Sequence, residues 1–360
     1  MTNEKPRAVS LFSGAGGLDV GFERAGYQIV YANEYDHDAA EAWRANRPEN
    51  KDAMVEGDIN EHLGDLVSLR GKIDIVFGGP PCQGFSIAGK MDPDDHRSTL
   101  MWSFLKAVEI VQPPVFLIEN VAALARLSRW DGVRRGIEQK AEELGYDLTY
   151  RVHTASDYGV PEKRERVLFV GVKKDLGYDA ESVYGSLVAY RKTPETVRDV
   201  LMRCGKYGTD ENPQTCTSHV SLAKSPVMRK SPYAGMLVNG AGRPINLDGI
   251  APTLPASMGG NKTPIVDQRS LETGAANWFE AYHGRLESGA SSPQDESIPD
   301  FIRRLTISEA AAIQTFPEGY MFGGRKTKQY RQIGNAVPCG LAEAMARAIY
   351  DSFFISDTRR

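Results

Sequence analysis

The sequence predicts an α/β protein: a doubly wound, mostly parallel sheet with a small irregular domain inserted into it. Three observations carry this. Over roughly the first 170 residues, apolar runs of strand length alternate with amphipathic helical stretches. The chain has 360 residues, beyond the size at which one core keeps growing, so a second domain is expected. After Lys174 the periodicity gives way to sequence rich in Gly, Pro, Ser and Asn, and it returns near the C-terminus.

The apolar runs at 8–12, 29–32, 73–77 and 115–118 are nearly continuous, as strands buried on both faces require. The helix at 18–25 follows a glycine turn. The helix at 36–46 opens on acidic residues, which suit a helix N-terminus. The helix at 99–111 puts Leu100, Phe104, Ala107, Val108 and Val111 on one face. Strands near 149–154 and 166–172 close the sheet. The inserted stretch still holds Met236, Leu237, Val238, Ile265, Val266, Trp278 and Phe279, so it is a domain and not a linker. Its most disorder-prone part is 286–299. Helical spacing resumes at 308–314 and 338–354, the latter with Pro338 near its start. The expected division is a first α/β part at 1–174, an insert at 175–302 and a part at 303–360 that completes the first.

An apolar fraction of 41% with 25% charged residues excludes collagen-like, low-complexity and wholly disordered classes. No apolar run approaches the roughly 20 residues of a membrane span, and residues 1–7 lack a signal-peptide pattern. The four cysteines form no C-x-x-C pair, so neither a disulfide framework nor a metal site is expected, and the reducing cytoplasm is the natural setting. Cys204 and Cys216, with His219, lack a second pair at zinc spacing. The net charge of −4 means that any nucleic-acid surface must be local.

The chemistry lies at predicted strand ends. Phe12-Ser13-Gly14-Ala15-Gly16-Gly17-Leu18-Asp19 joins the first strand to the first helix, where glycines let a ligand approach the backbone. Asp19 replaces the third glycine of the dinucleotide fingerprint, so a nicotinamide site is broken. Glu34 ends the second strand where an acid binds ribose hydroxyls, and Asp58 is expected to end the third. Together they favour a nucleoside-containing cofactor. Gly78-Gly79-Pro80-Pro81-Cys82-Gln83-Gly84-Phe85-Ser86 follows the fourth strand. A cysteine at a strand's carboxyl end faces the ligand crevice, which makes Cys82 a candidate nucleophile. The next strand ends in Glu119-Asn120-Val121. Adjacent strand tips lie about 5 Å apart, so Cys82 and Glu119 can flank one small planar substrate.

On these residues the chain resembles the cytosine-5 DNA methyltransferases, over nearly its whole length. Further blocks in the family's order are Glu162-Lys163-Arg164-Glu165-Arg166; Arg303-Arg304-Leu305-Thr306 with Glu309, Gln314, Phe316 and Pro317; and Gln332-Ile333-Gly334-Asn335-Ala336-Val337-Pro338. The resemblance implies a Rossmann-like S-adenosylmethionine-dependent fold with an inserted target-recognition domain. It implies that Cys82 attacks ring position 6 of a flipped cytosine, that Glu119 holds or protonates N3, and that Arg164 and Arg166 favour the thiolate and orient the base. The plainer alternative for the two arginines is a solvated surface pair. The cofactor site implied is Phe12, Gly14, Gly16, Gly17, Leu18, Glu34, Tyr35, Asp58, Ile59, Pro80, Leu100 and Asn335, with no metal.

The segment 83–99 is expected to close over DNA, with Gln83 facing it, Ser86 on the flipped nucleotide's phosphate and Arg97 anchoring the loop; an ordinary surface loop is the alternative. Residues 222–270 carry six basic and two acidic side chains, a local +4 that includes Arg229, Lys230, Arg243 and Lys262 as DNA-contact candidates. The loop 251–263 is a recognition-loop candidate, unless its prolines and glycines only shape turns. Arg325, Lys326, Lys328 and Arg331 form a second basic cluster. The expected partner is double-stranded DNA, with a cognate restriction endonuclease acting on the same site and no membrane or obligate protein subunit. The expected setting is the bacterial cytoplasm. The alternatives are the same chemistry on RNA and a non-catalytic nucleic-acid-binding relative.

Overall fold

The computed structural model describes residues 4–81 and 96–354 (the side chains of 96–99 excepted), and its largest feature is a seven-stranded sheet. The strands are β1 (Arg7–Leu11), β2 (Gln28–Glu34), β3 (Met54–Glu56), β4 (Ile75–Gly78), β5 (Val115–Val121) and β6 (Tyr146–Thr154), then, past the two-residue β7 (Glu162–Lys163), β8 (Glu165–Lys173). Their order is β3-β2-β1-β4-β5-β8-β6. The first five are parallel, and β8 runs antiparallel to both β5 and β6. The order reverses between β1 and β4, which opens a ligand crevice at the carboxyl ends of these strands.

The helices follow from local signals. The glycine turn leads into α1 (Gly17–Arg24), and Asp36 caps α2 (His37–Ala45) by accepting from the Ala39 N–H. Asp58 caps the short α3 (Ile59–His62). Then come α4 (His96–Val111), α5 (Ala122–Arg126), α6 (Asp131–Glu143) and α7 (Ala180–Leu187). The buried face of α4 carries Met101, Phe104, Leu105, Val108 and Val111 into a core with Val9, Leu11, Val76, Phe116, Ile118 and Phe169. Each such side chain contributes roughly 1.5–3 kcal/mol on burial.

Residues up to Tyr158, Glu165–Lys192 and from Val337 onward make one compact unit; Gly159–Arg164 and Thr193–Ala336 make another. In the second, Thr196 opens α8 (Val197–Arg203) with a capping box. The strands β9 (Leu222–Val227) and β10 (Met236–Val238) form an antiparallel ribbon, and β11 (Ala251–Pro252) runs parallel to β7. After β12 (Ile265–Asp267) come α9 (Gln268–Thr273) and α10 (Trp278–Glu287), then β13 (Ile302–Arg304), which pairs antiparallel with β12. A second capping box, on Thr306, opens α11 (Ile307–Ile313), and α12 (Lys326–Asn335) follows. Leu237, Val238, Ile265, Phe279, Tyr282 and Ile302 form this unit's own core. The last helix, α13 (Cys339–Phe353), belongs to the first unit. A Cβ on Gly21 of α1 would sit 2.4 Å from the Ala342 Cβ, so only glycine allows this approach.

Two expectations change. The compact units do not divide at 174 and 302. The β12–β13 pairing draws 303–336 into the second unit, and α7, packed on β6 and β8, holds 175–192 in the first. Asp58 does not end a strand. β3 stops at Glu56, Gly57 turns the chain at φ +140°, and the Asp58 carboxylate accepts from the Asn60 N–H at 2.9 Å. The stretch 286–299 holds only turns beyond Glu287, yet Arg285 Nε donates to Glu296 Oε1 at 2.6 Å across it.

Candidate active site

The crevice is assembled from strand ends. Gly78 of β4 sits opposite Ile118 of β5, so Gly79 leaves the sheet beside Glu119, which stays in β5. A Cβ on Gly79 would stand 2.8 Å from Glu119 Oε2; glycine is what lets the carboxylate approach. Glu119 pairs with Leu168 of β8, which makes Arg166 its diagonal cross-strand neighbour. Arg166 Nε donates to Glu119 Oε1 at 2.6 Å, and both side chains are largely buried. Asn120 Nδ2 donates to the Pro80 carbonyl at 3.0 Å and fixes the chain two residues before Cys82. Cys82, Gln83 and Ser86 lie outside the described residues, as does the Arg97 side chain.

The other thiols are poor nucleophiles where the protein holds them. Burial pushes both the Cys204 and Cys339 thiols up to about 12. Cys216 is buried, with Sγ 3.5 Å from Thr263 Oγ1.

The glycine turn bends through positive φ at Phe12 (56°), Gly14 (56°) and Gly16 (92°). Glu34 accepts from the Gly14 N–H at 2.7 Å and the Asp36 N–H at 2.8 Å. Burial holds its carboxyl above the ordinary value against the pull of these donors. A carboxylate has about four lone-pair sites, so acceptor capacity remains for ribose hydroxyls. Tyr35, beside it, is 77% exposed, an open aromatic face. Gly17, Leu18 and Ile59 are buried, Pro80 is buried, and Leu100 packs half-buried against the core. These residues all lie in the first unit. Asn335 is exposed at the end of α12 in the second.

Arg164 also belongs to the second unit. Its guanidinium donates to Leu254 O at 3.1 Å and Gly334 O at 2.6 Å, and Glu162 Oε1 lies 3.6 Å from Nη1. Of the DNA-contact candidates, Arg229, Lys230 and Lys262 are exposed and Arg243 is half-buried, donating to Ala241 O.

One buried group escaped the sequence patterns. Asp19 is fully buried and accepts from Trp43 Nε1 at 2.8 Å. Burial raises its pKa from 3.8 to about 6, against the pull of Arg47. The stability this shift carries is complete below 3.8 and is lost as pH rises through about 6, a change on the order of 3 kcal/mol. Urea unfolding at about pH 8 and about pH 4 is therefore expected to show wild type gaining that much on Asp19→Asn as pH falls, because asparagine does not titrate. A constant difference between the two proteins would refute it.

No helix of the described residues is long and apolar enough to cross a membrane, and none of their His, Cys, Asp and Glu side chains group as a metal site would require. A family model for C-5 cytosine-specific DNA methylases matches residues 7–351. Type II methyltransferase M.PspPI of Psychrobacter is 37% identical over 345 residues, covering 95% of this chain and 78% of that protein. M.NgoPII of Neisseria gonorrhoeae is 32% identical over 359 residues, 95% of each. The crystal structure of a prophage-encoded DNA modification methyltransferase of E. coli superposes with a TM-score of 0.66 and 25% identity, over 97% of this chain and 99% of that one. The chain therefore belongs to the C-5 cytosine-specific DNA methylases, and it is a DNA cytosine-5-methyltransferase.

Proposed function

We propose that the chain methylates a cytosine flipped out of duplex DNA through a covalent Cys82 adduct, with S-adenosylmethionine as donor. The observation that carries this is the Glu119–Arg166 pair beside Gly79, three residues before Cys82. Position 5 of cytosine is too weak a nucleophile to react unaided, and a covalent route divides the difficulty. The Cys82 thiolate gives its electron pair to C6, and density moves toward C5 and N3. Glu119 holds N3 or, once it has itself taken up a proton, passes that proton to N3, which stabilises the adduct, while Arg166 fixes the carboxyl's orientation. S-adenosylmethionine would supply the methyl as an electrophile: C5 gives its electron pair to the methyl carbon, the sulfonium S–CH3 bond breaks, and S-adenosylhomocysteine leaves. A base then takes the C5 proton, the C6–S bond breaks, and the N3 proton returns to Glu119.

The positive-φ turn at 12–16, Glu34, Tyr35 and Ile59 fit the donor: backbone and carboxylate for its polar parts, an aromatic face for its adenine. Flipping the base costs a few kcal/mol, offset by contacts with the DNA. The exposed Arg229, Lys230 and Lys262 supply phosphate contacts. The enzyme works in the cytoplasm without an obligate protein subunit and protects sites cut by a cognate endonuclease. Methyl transfer from labelled donor to duplex DNA and to tRNA tests the substrate class. Labelled DNA with inert RNA is expected, and labelled RNA with inert DNA would sink the proposal.

A further inference from the structure

We propose that the buried Glu162–Arg164 pair positions the loop 251–263 against α12, and so sets how that loop meets DNA. This rests on the reading of 251–263 as a recognition loop. The two side chains grip the loop's entry. Glu162 Oε1 accepts from the Leu254 N–H at 2.5 Å, and Arg164 Nη1 donates to the Leu254 carbonyl. The other arm of the guanidinium holds Gly334 O on α12, so one planar fork ties two distant segments. The backbone reinforces the grip. Ala251 N donates to Pro161 O at 2.8 Å, and Thr253 Oγ1 donates to Lys163 O at 2.7 Å.

The loop is also pressed onto α12. A Cβ on Gly334 would lie 2.5 Å from the Ala256 Cα, and one on Gly259, at φ +101°, 3.1 Å from the Thr327 Cα. Leu254, Met258 and Thr263 point inward and are buried, while Ser257, Asn261 and Lys262 are exposed between them. A loop held at both its backbone and its buried side chains presents those three polar groups in one arrangement. Arg164 thus acts on the reaction through the loop and is a positioning residue.

Arg164→Lys keeps the charge but loses the fork. It is expected to raise KM for the cognate duplex and to lower discrimination against altered sites, each by roughly 10- to 100-fold. The affinity for S-adenosylhomocysteine and kcat at saturating DNA should stay within about threefold of wild type. Glu162→Gln still accepts from the Leu254 N–H and should shift KM and discrimination less, in the same direction; it keeps the test decisive if Arg164→Lys does not fold. A fall in kcat with KM and discrimination unchanged would overturn the proposal, because Arg164 would then act on the reacting base. Asn261→Ala and Lys262→Ala test the underlying reading. If they leave affinity and discrimination unchanged, the loop does not read DNA and both ideas fail. If they change discrimination while Arg164→Lys and Glu162→Gln do not, the positioning role alone fails.

Discussion

Cys82→Ser is expected to lose methyl transfer by at least roughly 10⁴-fold while still binding DNA. A serine hydroxyl is not ionised near neutral pH and cannot add to C6, whereas a thiol of ordinary pKa is already a few per cent thiolate. No described cysteine is placed to substitute. Cys204 and Cys339 are held protonated by burial, and Cys216 is buried away from solvent. Single-turnover transfer from labelled donor measures the loss, and gel shift on the same duplex measures binding. Retained turnover in the serine variant would remove the covalent route.

Glu119→Gln is expected to slow the chemical step by about 10²–10⁴-fold, the usual worth of a positioned general acid. Glutamine matches the size of the carboxyl and still accepts from Arg166, but it has no proton to pass to N3. It also leaves the Arg166 guanidinium without its counter-charge in a largely buried site, at a cost of about 1–3 kcal/mol in stability. The two effects separate experimentally: denaturant unfolding reads the second, and single-turnover rates at saturating DNA and donor read the first. A variant that is destabilised but fully active would assign Glu119 to structure alone.

The sheet was legible because its strands are buried on both faces and read as unbroken apolar runs; β1, β2, β4 and β5 lie within a few residues of the expected positions. The strand-end placements followed, since Glu34 ends β2 and Glu119 lies one residue past the stretch of β5 that pairs with β4. What was not legible depended on long-range pairing. Arg164 and Arg166 are two residues apart and would share a face of one continuous strand. The break between β7 and β8 parts them: Arg166 turns to Glu119, and Arg164 to Leu254 and Gly334. Nothing local announces that break. The grouping of 303–336 with the second unit is likewise fixed by β12 pairing with β13, across more than thirty intervening residues. In the sequence Asp19 shows only as a flaw in a glycine fingerprint, because its partner Trp43 lies on another helix.

The central claim is that Cys82 bonds covalently to a cytosine in DNA while Glu119 supports the adduct. Incubating the protein and S-adenosylmethionine with a cognate duplex carrying 5-fluorocytosine blocks the final proton loss and traps any adduct. Peptide mapping by mass spectrometry should then find the nucleotide on the peptide that contains Cys82, and no adduct with Cys82→Ser. An adduct on another residue, or none on a duplex that the enzyme methylates when it carries cytosine, would contradict the account.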